Sequence, residues 1–278
     1  MKEAIDYYLR SIKAPTLCEW ADLYSRMVWH RIHFARTVAR MKVFETTITQ
    51  NLIFDLASHN FPNISILESV NESANGDDLE IVKKVGAKYR KFAVQCKIAY
   101  KDEVFRAIDH QVKSRSANTL SYQIDLLCDY AQANGCIPLY FMYNYRKTHT
   151  SVNEQYGISV LGARYLKRIY MPSGSFTKKP SVDDMTSGAS ISFFDFLCTS
   201  AGLTSPGEQS ELAQELLHRG EFPFEQGDNE TYTDFELSEI VADPLWKPIE
   251  ELDGRGISDR PKSERYKMFE PKYRFVIE

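Results

Sequence analysis

The sequence lacks the features of a membrane protein and of a zinc protein. No apolar run reaches the ~18–20 residues that a membrane-spanning helix requires. None of the five cysteines forms a CxxC pair, and the histidines are scattered, with His30 and His33 sharing a helical face but no third ligand in view. We therefore expect no membrane association and no zinc site, and we expect the cysteines to be buried, reduced thiols.

The sequence also lacks an excess of positive charge. It has 34 Lys and Arg against 38 Asp and Glu, for a formal net charge of −4. This balance argues against a broad basic surface, but it leaves a nuclease open, because local Lys and Arg supply the affinity for phosphates. Residues 1–6 carry acids where a signal peptide would have a basic and then an apolar region, so we expect a cytoplasmic protein.

Two short apolar stretches predict a β-hairpin. The first stretch, Leu-Glu-Ile-Val at residues 79–82, follows a polar turn. The second stretch, residues 92–97, is apolar except at Gln95 and Lys97. Alternate side chains of a strand share a face, so Asp78 and Glu80 would point to one side, as would Gln95 and Lys97. If the strands pair, these four side chains meet in one polar patch.

The chemistry of this patch suits a hard cation and a phosphate. Mg²⁺ takes oxygen ligands, usually one or two carboxylates with water and substrate phosphate oxygens. A nearby lysine can orient the attacking water and offset phosphate charge. A solvated, charged hairpin face is the alternative interpretation. Asp77 is the alternative to Asp78, because a slip of one residue in the strand register exchanges them.

The hydrophobic periodicity of residues 43–143, with the hairpin included, predicts elements in the order helix, three strands, helix, strand. A helix over residues 43–58 comes first, with Glu45 beside its apolar stripe as a further candidate site residue or a surface charge. A strand over 64–70 precedes the hairpin. A helix over 120–134 and a nearly continuous apolar strand over 137–143 follow it. The helical crossover allows that last strand to run parallel to the strand of Lys97.

These residues carry a resemblance to a known superfamily. Asp78, followed at a hairpin's distance by Gln95-Cys96-Lys97, resembles the D…(E/Q)xK signature of PD-(D/E)XK nucleases. That superfamily also places a glutamate on the helix before the first core strand, where Glu45 stands. Residues 122–144 are similar to a bacterial branch of uncharacterised proteins with a QxK motif, and the resemblance covers about residues 40–145.

The resemblance implies a metal-dependent nuclease with an α/β, restriction-endonuclease-like core, in which the three strands form a meander. It assigns catalysis to four residues: Glu45, Asp78, Gln95 and Lys97. It assigns Mg²⁺, or Mn²⁺, to Asp78, Gln95, Glu45 and Glu80, with Glu80 as a ligand or only an outer acceptor. Tyr122 and Gln123 would contact the substrate or hold the site in place. Because Gln95 is neutral, a single-metal site is favoured.

The resemblance also implies a substrate and a setting. DNA is expected in preference to RNA, and bacterial defence is the implied context. A homodimer is compatible with the resemblance. One alternative is a non-catalytic nucleic-acid-binding or regulatory module on the same fold. Another is a scaffold whose polar strand face is structural. All four motif positions keep usable chemistry, which favours the enzyme.

We expect three stretches of chain: a helical layer over 1–40, the nuclease core over 41–145, and a C-terminal extension over 146–278 that wraps around the core. The extension is expected to be irregular, apart from a helix over 156–169, a short helix over 210–219 and other short elements. Residues 222–233 form an acidic stretch that is expected to be irregular. The one basic cluster of the extension is expected to lie in solvent, with a DNA contact as the alternative; the cluster comprises Arg260, Lys262, Arg265, Lys267, Lys272 and Arg274.

Overall fold

The computed structural model describes residues 1–69, 78–85, 87–113, 120–148, 153–198, 234–244, 246–248, 271 and 273–278. These residues form a mixed α/β protein, so the predicted class is confirmed. Two compact units are present. Unit 1 comprises Met1–Phe61, Cys96–Ile108 and Leu139–Asn229, and unit 2 comprises Pro62–Gln95, Asp109–Pro138 and Glu230–Glu278.

The described helices and strands are as follows. The helices are α1 (Lys2–Ser11), α2 (Leu17–His33), α3 (Glu45–His59), α4 (Gln123–Asn134), α5 (Ala163–Tyr170), α6 (Val182–Asp184), α7 (Phe193–Cys198) and α8 (Leu237–Val241). The strands are β1 (Ile64–Ser69), β2 (Asp78–Val85), β3 (Lys88–Ile98), β4 (Gln111–Lys113), β5 (Leu120–Tyr122), β6 (Cys136–Tyr143), β7 (Ile158–Gly162), β8 (Ile191–Ser192), β9 (Asp234–Phe235), β10 (Trp246–Pro248) and β11 (Tyr273–Ile277). Among the described helices, none has both the length and the apolarity to cross a bilayer.

Helix α2 forms the centre of unit 1. It begins at the predicted cap, where the Thr16 hydroxyl accepts a hydrogen bond from the Glu19 amide at 3.2 Å. Trp20, Tyr24 and Trp29 are fully buried along it, and α1 and α7 pack on it. Burial of these large aromatic side chains supplies most of the apolar contact of this layer.

Strands β6, β7 and β8 are neighbours in unit 1. Strand β6 is buried along its whole length, as its apolar sequence predicts, and β7 pairs with it and with β8 in antiparallel fashion. The helix predicted over 156–169 is therefore wrong in its first half, and α5 begins only at Ala163. Because β7 is buried between two strands, sheet pairing overrides the helical pattern there.

The strands of unit 2 lie in the order β10-β1-β11-β2-β3, and β9 pairs with β3. The predicted hairpin of β2 and β3 is confirmed as an antiparallel pair. The predicted three-strand meander is wrong, because β11 lies between β1 and β2, antiparallel to the first and parallel to the second. The end of the chain is thus a strand within the sheet and not an irregular wrap.

The connection before α4 also differs from the prediction. Strands β4 and β5 pair in antiparallel fashion, so α4 begins at Gln123 and not at Leu120. The helix ends as predicted at Gly135, whose φ of +63° suits a glycine after a helix. The predicted helix over 210–219, the acidic stretch over 222–233 and the basic residues 260–267 and 272 lie outside the described residues.

A disulfide joins Cys18 of α2 to Cys198 of α7, with Cα atoms 5.7 Å apart. The prediction that all five cysteines are reduced is wrong for this pair. Cys96, Cys128 and Cys136 are thiols, and burial of Cys96 and Cys136 matches the prediction. The paired cysteines are 180 residues apart in the sequence, so no local spacing identifies them.

Gly157 lies against the backbone of α2 with no room for a side chain. A Cβ atom at this position would come within 1.8 Å of the Ser25 carbonyl oxygen and 2.9 Å of the Trp29 nitrogen. The Ser25 hydroxyl fixes this approach, since it donates to the Gln155 carbonyl at 2.7 Å and accepts from the Ile158 amide at 2.9 Å. Only glycine fits here.

We expect Gly157→Ala to lower the free energy of unfolding by about 3 kcal/mol, because two backbones would have to separate. Gly174→Ala is the control. Its φ is +79° but nothing lies within 4 Å of the added carbon, so only backbone strain of about 1 kcal/mol applies. Denaturant-induced unfolding measures both changes, and equal losses would contradict the close approach.

Lys83 of β2 is 2% exposed, and burial lowers its pKa from 10.5 to about 7. Between these two pH values the unfolded chain binds more protons than the folded protein, so stability rises with pH across this window and is lost as the pH falls towards 7.

We expect Lys83→Met to remove this pH dependence, which amounts to at most about 1.4 kcal/mol per pH unit, and to raise stability at pH 7. Lys84→Met, at the exposed neighbouring lysine, should leave the dependence unchanged. Unfolding free energies measured from pH 7 to 10 test this. The interpretation fails if the two variants follow the same curve.

Candidate functional site

Lys97 and Glu45 form a largely buried ion pair in unit 1. Lys97 lies near the end of β3 and is 4% exposed, and Glu45 is the first residue of α3. The Lys97 ammonium donates a hydrogen bond to Glu45 Oε1 at 3.2 Å. Helix α3 begins here because Phe44 has an extended backbone, and a carboxylate in the first turn suits the helix N-terminus. The structure thus brings together two of the predicted catalytic residues.

A buried chain of polar groups holds α3 in place beside Lys97. The Thr49 hydroxyl donates to the Glu45 carbonyl at 3.0 Å and lies 2.9 Å from the Tyr143 hydroxyl. The Tyr143 hydroxyl in turn donates to Cys96 Sγ at 3.3 Å. Burial raises the pKa of Tyr143 well above its ordinary value, so it stays a neutral donor. The residue next to Lys97 is therefore linked to the start of α3.

Asp78 and Gln95 are paired in unit 2. The backbone register of β2 and β3 sets Asp78 directly across from Gln95, as the predicted hairpin requires. Gln95 is 4% exposed and stands two residues before Lys97 in β3. Residues two apart in a strand share a face of the sheet. Asp77, the register alternative, lies outside the described residues.

Tyr122 and Gln123 lie where β5 passes into α4. Tyr122 is the residue before the helix, and the Gln123 amide donates to the His110 carbonyl at 3.0 Å. Gln123 Oε1 is buried and accepts no hydrogen bond within the described part of the chain. A buried acceptor of this kind is costly unless it has a partner, so this oxygen suits a role towards a bound group.

Glu80 lies within a buried polar network of unit 2. Its Oε1 accepts from Arg274 Nε at 2.6 Å, and its Oε2 accepts from the Tyr130 hydroxyl at 3.0 Å and from Cys136 Sγ at 3.8 Å. Burial and the Glu80 charge raise the pKa of both Tyr130 and Cys136, so both stay protonated donors. Since protein donors engage both carboxylate oxygens, the structure favours Glu80 as an outer acceptor over a metal ligand.

Arg274 connects this network to the C-terminal part of unit 2. Its Nη2 atom donates to Asp243 Oδ2 at 3.0 Å, and its Cζ atom lies 4.2 Å from the centre of the Trp246 ring. Arg274 is 2% exposed. The prediction that it belongs to a solvated basic cluster is therefore wrong.

The predicted donors match the needs of one hard cation. No cluster of three His, Cys, Asp or Glu side chains that could hold a metal occurs among the described residues. A single Mg²⁺ needs only one or two carboxylates, with other oxygens completing its shell. The side chains of Asp78, Gln95 and Glu45 each carry oxygen donors of that chemistry.

A second polar cluster, which the sequence analysis missed, surrounds Glu154 in unit 1. Its carboxylate accepts from the Tyr7 hydroxyl at 2.6 Å, from Arg26 at 2.7 Å and from His30 Nε2 at 2.7 Å. Burial raises the pKa of Glu154, but these hydrogen bonds outweigh it and leave the pKa below its ordinary value. The cluster ties the turn at Glu154–Gly157 to α1 and α2. Nothing in the local sequence around Glu154 signals it.

We expect Arg274→Ala to destabilise the protein by about 3–5 kcal/mol, because it leaves Glu80 buried without its cationic partner. The double variant Glu80→Leu with Arg274→Met should restore most of that stability, since it removes both charges at similar volume. Urea unfolding of the two variants and the wild type measures this. A loss below about 1 kcal/mol for Arg274→Ala would show that the pair is not a structural constraint.

Comparison with known proteins gives a family but no activity. No curated protein and no solved structure matches the chain. Residues 17–265 match the model of a family of unknown function (DUF6615). This match covers most of the 278 residues and includes all the residues named in this subsection except Tyr7 and Arg274. The chain therefore belongs to that family.

Proposed function

We propose that this protein is a metal-dependent nuclease that hydrolyses phosphodiester bonds. The observation that carries the proposal is the buried contact of Lys97 with Glu45, at the end of the strand in which Gln95 pairs with Asp78. Two of the four residues that the sequence motif selects, Lys97 and Glu45, are hydrogen-bonded, and the other two, Asp78 and Gln95, are backbone partners in the β2–β3 register. A solvated hairpin would leave its lysine exposed, whereas Lys97 is 4% exposed.

We also infer a restriction-endonuclease-like core. The support is the order of elements along the chain: α3, β1, the β2–β3 pair, α4 and β6. The C-terminal strand β11 would be an addition that enters this core between its first two strands. Such an addition leaves the β2–β3 pair intact, and that pair carries the motif residues.

Each motif residue has a distinct role in this proposal. Asp78 and Gln95 would hold one Mg²⁺ or Mn²⁺, which when bound supplies a Lewis acid for the phosphate. Lys97 would orient the attacking water and offset the charge that grows on the phosphate oxygens. Glu45 positions the Lys97 ammonium through their hydrogen bond and would bind the ion through water. Gln123, through its buried Oε1, would hold a substrate or metal-bound group, with Tyr122 beside it.

The proposed substrate and setting rest on the superfamily resemblance alone. We keep DNA as the preferred substrate over RNA and bacterial defence as the context. A homodimer stays a prediction. The competing function is a module of the same fold that binds nucleic acid without cutting it, and metal-dependent cleavage separates the two.

We expect Lys97→Ala to reduce cleavage by roughly 10²–10³-fold, because it removes a transition-state contact, and to leave nucleic-acid binding largely intact. Asp78→Ala should remove cleavage by weakening metal binding. Plasmid DNA and RNA are incubated with Mg²⁺, Mn²⁺ or EDTA, calorimetric Mn²⁺ titration reports the metal, and a gel-shift assay reports binding.

Lys88→Ala is the control, since Lys88 lies in the same strand but is exposed. It should cut like the wild type. Lys97→Met keeps most of the side-chain volume and separates loss of chemistry from loss of folding. If Lys97→Ala protein cuts at the wild-type rate, the nuclease proposal is wrong. Binding without any cleavage by the wild type would favour the non-catalytic module.

A further inference from the structure

The segment of residues 37–44 exposes apolar and basic side chains immediately before Glu45. Val38, Met41 and Phe44 are 62%, 61% and 61% exposed. Arg40 and Lys42 are exposed between them, and the segment contains no acidic residue. Single exposed apolar side chains need no explanation, but three of them interleaved with two cations form a surface of defined chemistry.

Both ends of this segment are fixed near Lys97. Just before it, Arg36 donates a hydrogen bond to the Ala99 carbonyl and its guanidinium lies 5.2 Å from the centre of the Tyr145 ring. Ala99 is two residues after Lys97. At the other end, Glu45 accepts the hydrogen bond from Lys97. The exposed residues therefore lie between two anchors that flank the proposed catalytic lysine.

The backbone of this segment departs from regular geometry. A π-helical turn covers Phe34–Val38, and the Met41 amide donates a hydrogen bond to the Ala35 carbonyl at 2.7 Å. Arg40 has a φ of +55°, in the left-handed region that side chains other than glycine and asparagine rarely adopt. Irregular turns and strained residues are enriched at functional sites. They indicate that the segment is held in one shape and is not an arbitrary linker.

We propose that residues 37–44 bind nucleic acid that has unpaired bases, a proposal that rests on the nuclease function and names its substrate. Phe44 offers a ring on which a base can stack, and Arg40 and Lys42 contact the phosphates on either side. An aromatic ring needs an open base face, which single-stranded or unpaired regions present and an intact duplex does not. The local charge is positive although the whole chain carries −4.

The test is binding of a fluorescein-labelled single-stranded oligonucleotide and of its duplex, measured by fluorescence anisotropy in EDTA so that no cleavage occurs. The wild type should bind the single strand more tightly. Phe44→Ala should weaken that binding roughly tenfold, from the loss of one stacking contact. Phe44→Tyr should retain it.

Phe54→Ala is the matched control, because Phe54 is also a phenylalanine in the same unit and is 67% exposed, ten residues further along in α3. It should bind like the wild type. Lys42→Ala and Arg40→Asn should each lower the slope of the logarithm of the binding constant against the logarithm of the salt concentration. The decrease should equal the contribution of about one phosphate contact. Asparagine is used because it tolerates the left-handed backbone.

Three results would overturn the inference. They are equal losses for Phe44→Ala and Phe54→Ala, tighter binding of the duplex than of the single strand by the wild type, and Phe44-dependent binding to anionic lipid vesicles without oligonucleotide binding. Cleavage assays in Mg²⁺ separate the two proposals. Cleavage with unchanged binding by Phe44→Ala retains the nuclease and rejects this surface. Phe44-dependent binding without cleavage retains the surface and rejects the nuclease.

Discussion

The contact between Arg274 and Glu80 determines the strand order of unit 2. The two residues are 2% and 1% exposed and lie opposite each other in the pairing of β11 with β2. A buried charge without its partner is strongly destabilising, so β11 has to enter the sheet where this carboxylate lies. A slip of one residue would turn the Arg274 side chain to the other face of the sheet. One ion pair thus selects both the neighbour and the register.

The same strand carries the proposed chemistry. Glu80 and Asp78 are two residues apart in β2, so a register fixed at Glu80 is also fixed at Asp78. The pairing of Asp78 with Gln95 across β2 and β3 then follows from the backbone ladder. In this arrangement the Glu80 carboxylate secures the sheet, because protein donors engage both its oxygens. Asp78 is the acid to which the proposed function assigns the metal.

The sequence predicts those features that depend on neighbouring residues. The helix over 43–58, the hairpin, the end of α4 at Gly135 and the apolar strand over 137–143 follow from short periodic patterns, and the structure contains each of them. The partnership of Asp78 with Gln95 comes from the hairpin register. Only the superfamily resemblance identified Glu45 as a candidate site residue. Its position beside the apolar stripe of a helix is equally typical of a surface charge.

The features that sequence reasoning missed have distant partners. Strand β11 is short and its second residue is an arginine, so its sequence is typical of a basic tail. Only the structure shows that the buried Glu80 carboxylate pairs with this arginine. The disulfide and the donors around Glu154 likewise join residues more than a hundred positions apart. Such contacts form because the fold brings the residues together, and no local spacing encodes them.

Burial of the Lys97–Glu45 pair has a consequence for the proposed reaction. Charges interact more strongly away from water, so the Glu45 carboxylate attracts the Lys97 ammonium and holds it in position. An approaching phosphate would present a second anion to the Lys97 ammonium. Glu45 would then no longer be the only group that balances the lysine charge, and its role would be to hold a water molecule or the lysine in place. Lys97 is 4% exposed, so in the proposed reaction the rest of a polymeric substrate would lie along an exposed surface. The irregular segment of residues 37–44, which leads into Glu45, carries the cations and the aromatic ring that such a chain requires.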